Sequence, residues 1–475
     1  STYYDTAEFE FKRHGASLRL RQTGDDGWLQ TLKSDDDIKA GLHRRNEWES
    51  AVGGPALDIA ALREMVGVHT HWNKLLRDAT SLRPIFCTQV DRTIWDLATP
   101  AGDEIEFALD QGTIEHEDLT EPISEIEMEL KVGAPENIFG YALQMLDAIP
   151  MSIENLSKAE RGYALCMPQE SPAPVKAGKI KLNKNMSVEK GFVAIASDCM
   201  AQIQGNETAV IMAKAPESLH QMRVGVRRLR SALGLFKDLA PLPHELQDDL
   251  DWLSSQLGPA RDWDVLSQST LAVVDDAVPD GAGVTQLQQA AADIAAIKRE
   301  QAAIAVQSSR YAHLMLGLAG WLQGTAWRNT ISKSKRGKMD QALPRFARNC
   351  LKHDQRRLLW RGRQLKYADP ATRHKVRIAA KKTRYATEFF QSLYVPKSVA
   401  AYVDTLSALQ DELGWLNDVR VADELLHALG NERQDLATDI GFARGYLTSN
   451  AQQQDRRLRE LWTRFEPMKL PVARH

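Results

Sequence analysis

The chain has 475 residues, 43% of them hydrophobic and 26% charged, with a formal net charge of −3. A single core commonly stops growing near about 250–300 residues, so more than one domain is expected. No apolar run approaches the ~18 residues of a bilayer span. Cys87, Cys166, Cys199 and Cys350 lack the paired spacing of a zinc site or a disulfide framework, which points to a protein of the reducing cytoplasm.

The small net charge conceals an asymmetry. Residues 1–165 carry 16 Lys and Arg against 30 Asp and Glu, whereas residues 166–475 carry 44 against 33. An acidic module is followed by a basic one, and the basic one is suited to polyanions.

The first 33 residues read as β. Residues 17–22 alternate, with Ser17, Arg19 and Arg21 on one face and Leu18 and Leu20 on the other. A turn signal at 24–27 leads into a strand over 28–33 that carries Lys33. Residues 45–49 alternate again, with Arg45, Glu47 and Glu49 on one side. The spacing of Leu57, Ala61 and Met65 predicts a helix within 56–82. A strand over 86–97 carries Arg92, Gly102 marks a hairpin, and strands follow over 104–110 and 123–130. Pro135 opens an amphipathic helix, and residues 157–163 close the module. Closely spaced strands of this number predict an antiparallel sheet or barrel.

Polar-out, apolar-in alternation is the ordinary pattern of a half-solvated sheet. However, Glu125, Glu127 and Glu129 stack like charges at period two, which is destabilising without a partner. Carboxylates arranged in this way are hard oxygen ligands for Mg²⁺ or Mn²⁺. Arginines and lysines opposite them suit phosphate oxygens, so a barrel lined by both signs can clamp a metal–polyphosphate complex.

The segments 3–6 (YYDT), 18–21 (LRLR), Arg45-x-Glu47-x-Glu49, Glu127-x-Glu129-Leu130 and 157–163 (SKAERGY) resemble the CYTH, or triphosphate tunnel metalloenzyme, family. The resemblance covers residues 1–165 and implies a tunnel of antiparallel strands that hydrolyses triphosphates or, less often, cyclises ATP. It implies that Glu127 and Glu129, with Glu125 beside them, hold a divalent metal. Asp110 and Glu47 or Glu49 would assist a second ion or position water. Arg19, Arg21, Lys33, Arg45, Arg92, Lys158 and Arg161 would hold phosphates. The family's opening Glu-x-Glu-x-Lys strand does not occur in this sequence. It is expected upstream of Ser1, and tunnel activity is conditional on it.

Residues 166–186, with three prolines and several lysines, read as a linker. From Val188 onward the pattern is helical, forming a domain over 187–470. Residues 217–239 recur at 371–393 without a gap. His220, Arg223, Arg227 and Arg230 align with His374, Arg377, Lys381 and Arg384, each set in one helical stripe. A second match aligns 250–262 with 406–418, so two repeats are expected, at about 187–330 and 335–470. A charged stripe is commonly a solvated face. A repeated row of one sign, without interspersed acids, repels itself unless an anion lies on it. The pattern resembles the conserved-histidine α-helical domain, CHAD, whose members bind polyphosphate. The equal spacing of the two stripes predicts that these eight residues face one basic groove between two pseudo-symmetric bundles, since duplicated units commonly pack about a local axis. Histidine charging below pH ~6.5 is expected to strengthen binding there.

The expected architecture is therefore α+β and multidomain, an antiparallel β tunnel followed by an all-α domain. The expected activity is hydrolysis of inorganic triphosphate to diphosphate and phosphate in the tunnel, with polyphosphate on the helical domain. A polyphosphate binder with an inactive tunnel and an adenylate cyclase remain the alternatives. No membrane partner is expected, and the location implied is the cytoplasm, at polyphosphate granules. Nucleic acid is not expected either, because the basic stripes lack interleaved aromatics.

Overall fold

The computed structural model describes the chain except residues 25–26, 40–41, 68–70, 78–80, 100–101, 168–171, 213–214, 278–283, 325, 366–368, 454 and 475, and except the side chains of 35–45, 326, 452, 453 and 455. The tip of the 24–27 turn and residues 168–171 of the expected linker thus lie outside the described residues. The chain divides into two compact units, Ser1–Ser171 and Pro172–His475.

Unit one is built on seven strands: β1 (Thr2–Asp5), β2 (Ala16–Thr23), β3 (Gly27–Lys39), β4 (Leu42–Val52), β5 (Arg83–Ala98), β6 (Glu104–His116) and β7 (Leu119–Val132). They form one antiparallel sheet in the order β4-β3-β2-β1-β5-β6-β7. Alternation decides which face is covered. Leu18 and Leu32 pack beneath Phe11 of α1 (Glu10–Arg13), Leu62 and Val66 of α2 (Ile59–Val66) and Leu76 of α3 (His71–Arg77). The helix expected within 56–82 is thus two helices, because Gly67 ends α2 at φ 80°, a conformation favourable only to glycine. Helix α4 (Pro135–Ala148) lies against β7.

The sheet is curled. Lys33 on β3 feels the Glu127 carboxylate on β7. Five strand spacings of ~4.8 Å would hold them about 24 Å apart in a flat sheet, beyond effective Coulomb reach. The charged face is therefore the concave one.

Helix α5 (Lys158–Cys166) begins where it does because Ser157 and Glu160 form a reciprocal capping box. Its Gly162 is obligatory, since a Cβ there would stand 2.1 Å from the Phe86 ring. Tyr163 donates its hydroxyl to Asp5 Oδ2 at 2.8 Å, and the same buried carboxylate accepts from the backbone N–H groups of Thr6, Phe11 and Lys12. Asp5 thereby joins β1, α1 and α5, which explains why the YYDT and SKAERGY segments occur in one chain.

Unit two is helical: α6 (Val188–Gln204), α7 (Glu207–Ile211), α8 (Pro216–Phe236), α9 (His244–Val265), α10 (Leu271–Asp275), α11 (Thr285–Gln307), α12 (Ser309–Gln323), α13 (Ala326–Thr330), α14 (Lys333–Met339), α15 (Leu343–Gly362), α16 (Pro370–Phe389), α17 (Pro396–Glu432), α18 (Ala437–Gln453) and α19 (Asp455–Phe465). Proline opens α8, α16 and α17, where a missing N–H costs nothing. The two stripe-bearing helices, α8 and α16, contact each other. The repeat extends to their neighbours. Arg228 of α8 bonds Asp198 of α6 at 2.8 Å, and its aligned Lys382 on α16 faces buried Asp354 of α15. Helix α17, 37 residues and about 55 Å long, enters two separate cores. Among the described residues no helix is long and apolar enough to cross a membrane.

Tyr163→Phe removes one of four hydrogen bonds to buried Asp5 and should lower the stability of the sheet unit by about 1–3 kcal/mol, read as a lower urea midpoint with unchanged slope.

Candidate functional site

The concave face of unit one places acids and bases in two adjoining groups. At the β2–β3–β4 side, Lys33 lies 3.0 Å from Glu47, Arg19 3.7 Å from Glu47, and Arg21 3.5 Å from Glu49. Thr31 also donates to Glu49, at 2.8 Å. Burial, with Arg19 close by, lowers the pKa of Lys33 and of Arg21, and Arg19 and Arg21 each keep a buried Nε without a partner. The Arg45 side chain lies outside the described residues.

At the β5–β6–β7 side, cross-strand register sets Asp110 opposite both Arg92 and Glu125. Arg92 grips Asp110 with two hydrogen bonds of 2.6 Å and reaches Glu127 at 2.6 Å. Lys158, at the first turn of α5, inserts its ammonium among Asp110 (2.6 Å), Glu127 (2.8 Å) and Glu125. Arg161, one turn later, holds Glu121 at 2.6 Å and Glu125 at 3.0 Å.

Asp110 is fully buried, yet its pKa is lowered. Burial alone would raise it, and the hydrogen bonds from Arg92 and Lys158 outweigh burial. Glu127 is lowered in the same way, its burial being outweighed chiefly by Lys158. The pKa of Lys158 is raised, because the three carboxylates outweigh its desolvation.

Oxygens of Asp110, Glu125 and Glu127 lie within 4.8 Å of one another. That set fits a hard divalent cation, since the donors are all carboxylate oxygens and already surround a positive charge. Glu129 stands apart from this group. Register places it opposite Glu106, near the far end of the hairpin, where Lys131 bridges the two at 3.0 and 3.1 Å. The three-glutamate period is present, with Glu127 two residues from both Glu125 and Glu129, and it is the Glu125 and Glu127 carboxylates that converge. The neighbour across the ladder, Asp110, completes the trio in place of Glu129.

In unit two, Arg227, Arg377, Lys381 and Arg384 line a cleft of about 350 Å³ with Tyr385, Gln410, Trp415 and Asp418. The Nε atoms of Arg227 and Arg377 are buried there without partners. Burial, then Arg377 and Arg227, push Lys381 down to about 7. Arg223 is bonded to the Gly258 carbonyl and to Asp262 at 3.2 Å. Arg230 points outward to Asp251. The cleft-lining aromatics Tyr385 and Trp415 escaped the sequence reading because neither lies in a charged stripe.

For His220 the expected histidine switch is corrected. Burial, then Arg261, push His220 down to about 4, so it stays neutral near physiological pH, and its buried Nδ1 has no hydrogen-bond partner. His374 is exposed. The group poised near neutrality is Lys381.

A model of the CYTH domain matches residues 1–163, and a model of the CHAD domain matches residues 194–427. An inorganic triphosphatase of Haemophilus influenzae is 32% identical over 173 residues, which is 35% of this chain and 45% of that protein. The chain thus matches less than half the length of that relative. The solved CHAD domain of the plant Ricinus communis is 40% identical with a TM-score of 0.58, covering 64% of this chain and 99% of that one.

The depressed pKa values of Asp110 and Glu127 carry a stability consequence. Their contribution is present above the unfolded carboxylate values near ~4 and is lost as pH falls through the lower folded values. Lys158→Met removes a cation that lowers both, so the variant should be less stable at pH 6 yet lose less stability on acidification, as followed by urea midpoints between pH 2 and 6 (roughly the carboxylate range).

Proposed function

The chain belongs to the proteins in which a CYTH domain is followed by a CHAD domain, and from that premise we propose that unit one hydrolyses inorganic triphosphate to diphosphate and phosphate while unit two binds polyphosphate. The observation that carries the first half is the meeting of three carboxylates with a bank of cations on one concave face. Asp110, Glu125 and Glu127 hold a divalent cation, Mg²⁺ or Mn²⁺. Such a cation supplies charge neutralisation and a more acidic water for the in-line displacement.

The chain's own groups do the binding and orienting. Arg19, Arg21, Lys33 and Arg92 present donors to phosphate oxygens, and the free Nε atoms of Arg19 and Arg21 suit that role. Glu47 and Glu49 position these cations and restrain their mutual repulsion. Lys158 and Arg161, which neutralise the carboxylates, would be free to hold phosphate oxygens with a cation bound at the trio.

For unit two the carrying observation is a cleft whose cations are only partly compensated. Arg227, Arg377, Lys381 and Arg384 converge there, Arg384 is paired with Glu388, Asp411 and Asp418 supply two carboxylates, and the buried Nε atoms of Arg227 and Arg377 stay unpaired. A chain bearing about one charge per phosphate satisfies them together.

Two outcomes test this reading. Glu127→Gln should lower metal-dependent phosphate release from triphosphate by about 100-fold or more, with the fold intact by circular dichroism. Normal turnover in that variant would remove the metal assignment. Polyphosphate affinity should be highest below pH ~7 and fall as pH rises through the Lys381 value, because the bound anion holds the proton that free Lys381 loses. Lys381→Arg should flatten that profile, since guanidinium stays charged, and Arg227→Ala with Lys381→Ala should weaken polyphosphate binding without changing triphosphate turnover.

A further inference from the structure

Helix α15 carries a second basic surface that the cleft does not use. At about 100° per residue, Arg345, Arg348, Lys352, Arg356, Trp360 and Arg363 fall within an arc of about 120° that runs for about 27 Å. All are exposed except Lys352, which is half-buried. The single acid of α15, Asp354, is 7% exposed and lies on the opposite side. Among the described residues, none of the five cations of this arc has an acidic partner, so the arc is not an ordinary salt-bridged helix face.

Trp360 is 68% exposed at one edge of the arc, between Arg356 and Arg363 along the chain. An indole left in water costs hydrophobic free energy. Beyond the edge of the arc, on the side of α15 that turns toward Asp354, Arg357 and Arg361 approach α16. Arg361 donates to the Lys375 carbonyl at 2.9 Å, and Lys382 lies in the fields of Arg357 and Arg361. Ile378, 37% exposed, belongs to the same side of α16. Lys382 is one residue on from Lys381, so this side is turned about 100° from the one that lines the cleft. The two surfaces are distinct.

We propose that this face of α15 binds single-stranded nucleic acid, with an unpaired base stacked on Trp360 and the flanking phosphates held by Arg356, Arg357 and their neighbours. Charge complementarity selects a polyanion. The exposed indole selects one that carries flat bases, which inorganic polyphosphate lacks and a duplex keeps within its own stack. The sequence pattern concealed this, because Trp360 follows Leu358 and Leu359 and reads as a core position beside them.

The test is fluorescence anisotropy of the full chain with a single-stranded RNA of about 12 nucleotides at fixed salt. An abasic sugar–phosphate oligomer of equal length, inorganic polyphosphate and phosphatidylserine vesicles serve as comparisons. The RNA should bind more tightly than the abasic oligomer. Trp360→Ala should weaken RNA binding about tenfold, erase that difference and leave polyphosphate binding unchanged. Arg356→Glu with Arg357→Glu should abolish RNA binding, whereas Arg227→Ala with Lys381→Ala should preserve it, which separates this face from the cleft. Equal affinity for RNA and the abasic oligomer would overturn the proposal, as would an inert Trp360→Ala. Loss of RNA binding in the cleft variant, or vesicle binding through Arg356 and Arg357 without RNA binding, would do the same.

Discussion

Half-buried like charges must be neutralised, and the two units meet that constraint in opposite ways. In the sheet unit the balance is internal. The Lys158 ammonium stands among Asp110, Glu125 and Glu127, and Arg92 closes the other side of Asp110. Without those cations a fully buried Asp110 would be protonated or the strands would separate, since an unpaired buried carboxylate costs several kcal/mol (roughly). The charged surface is therefore also what keeps its own strands together, because its cations and carboxylates hold one another in place.

That arrangement depends on where α5 begins. The Ser157–Glu160 capping box sets the first turn, which puts Lys158 and Arg161 one turn apart over β6 and β7. Gly162 lets the helix approach Phe86, and Tyr163 locks it to Asp5. A seven-residue segment thus combines a cap, a close contact, an anchor and two functional cations. None of these roles can be moved by one residue without turning the cations away from the sheet.

In the helical unit the balance is left open. Duplication placed two cationic stripes in contact, and duplication alone supplies no counter-charge. Asp262 and Asp418 answer Arg223 and part of Arg377, leaving Arg227 and Lys381 without a full partner. The result is a lysine pushed down to about 7 and a histidine held neutral at about 4. His220 is thus not the charge sensor, because burial, with Arg261, Arg227 and Arg223 around it, disfavours its protonation.

Much of this was determined by the sequence alone. Period-two alternation in β2, β6 and β7 identified the charged face. The 154-residue offset between His220 and His374 identified the two stripe helices. Both signals are local and periodic, so they survive without knowledge of the fold. Three things were decided only by the tertiary structure. Ladder register put Asp110, not Glu129, beside Glu125 and Glu127. Curling of the sheet brought Lys33 within the field of Glu127. Burial chose which titratable groups keep their charge, lowering His220 and Lys381 while leaving Trp360 in water. The physical reason is the same in each case. Which residues oppose one another across strands, and which are desolvated together, depends on contacts between segments far apart in the chain. Composition and spacing within one segment do not contain that information.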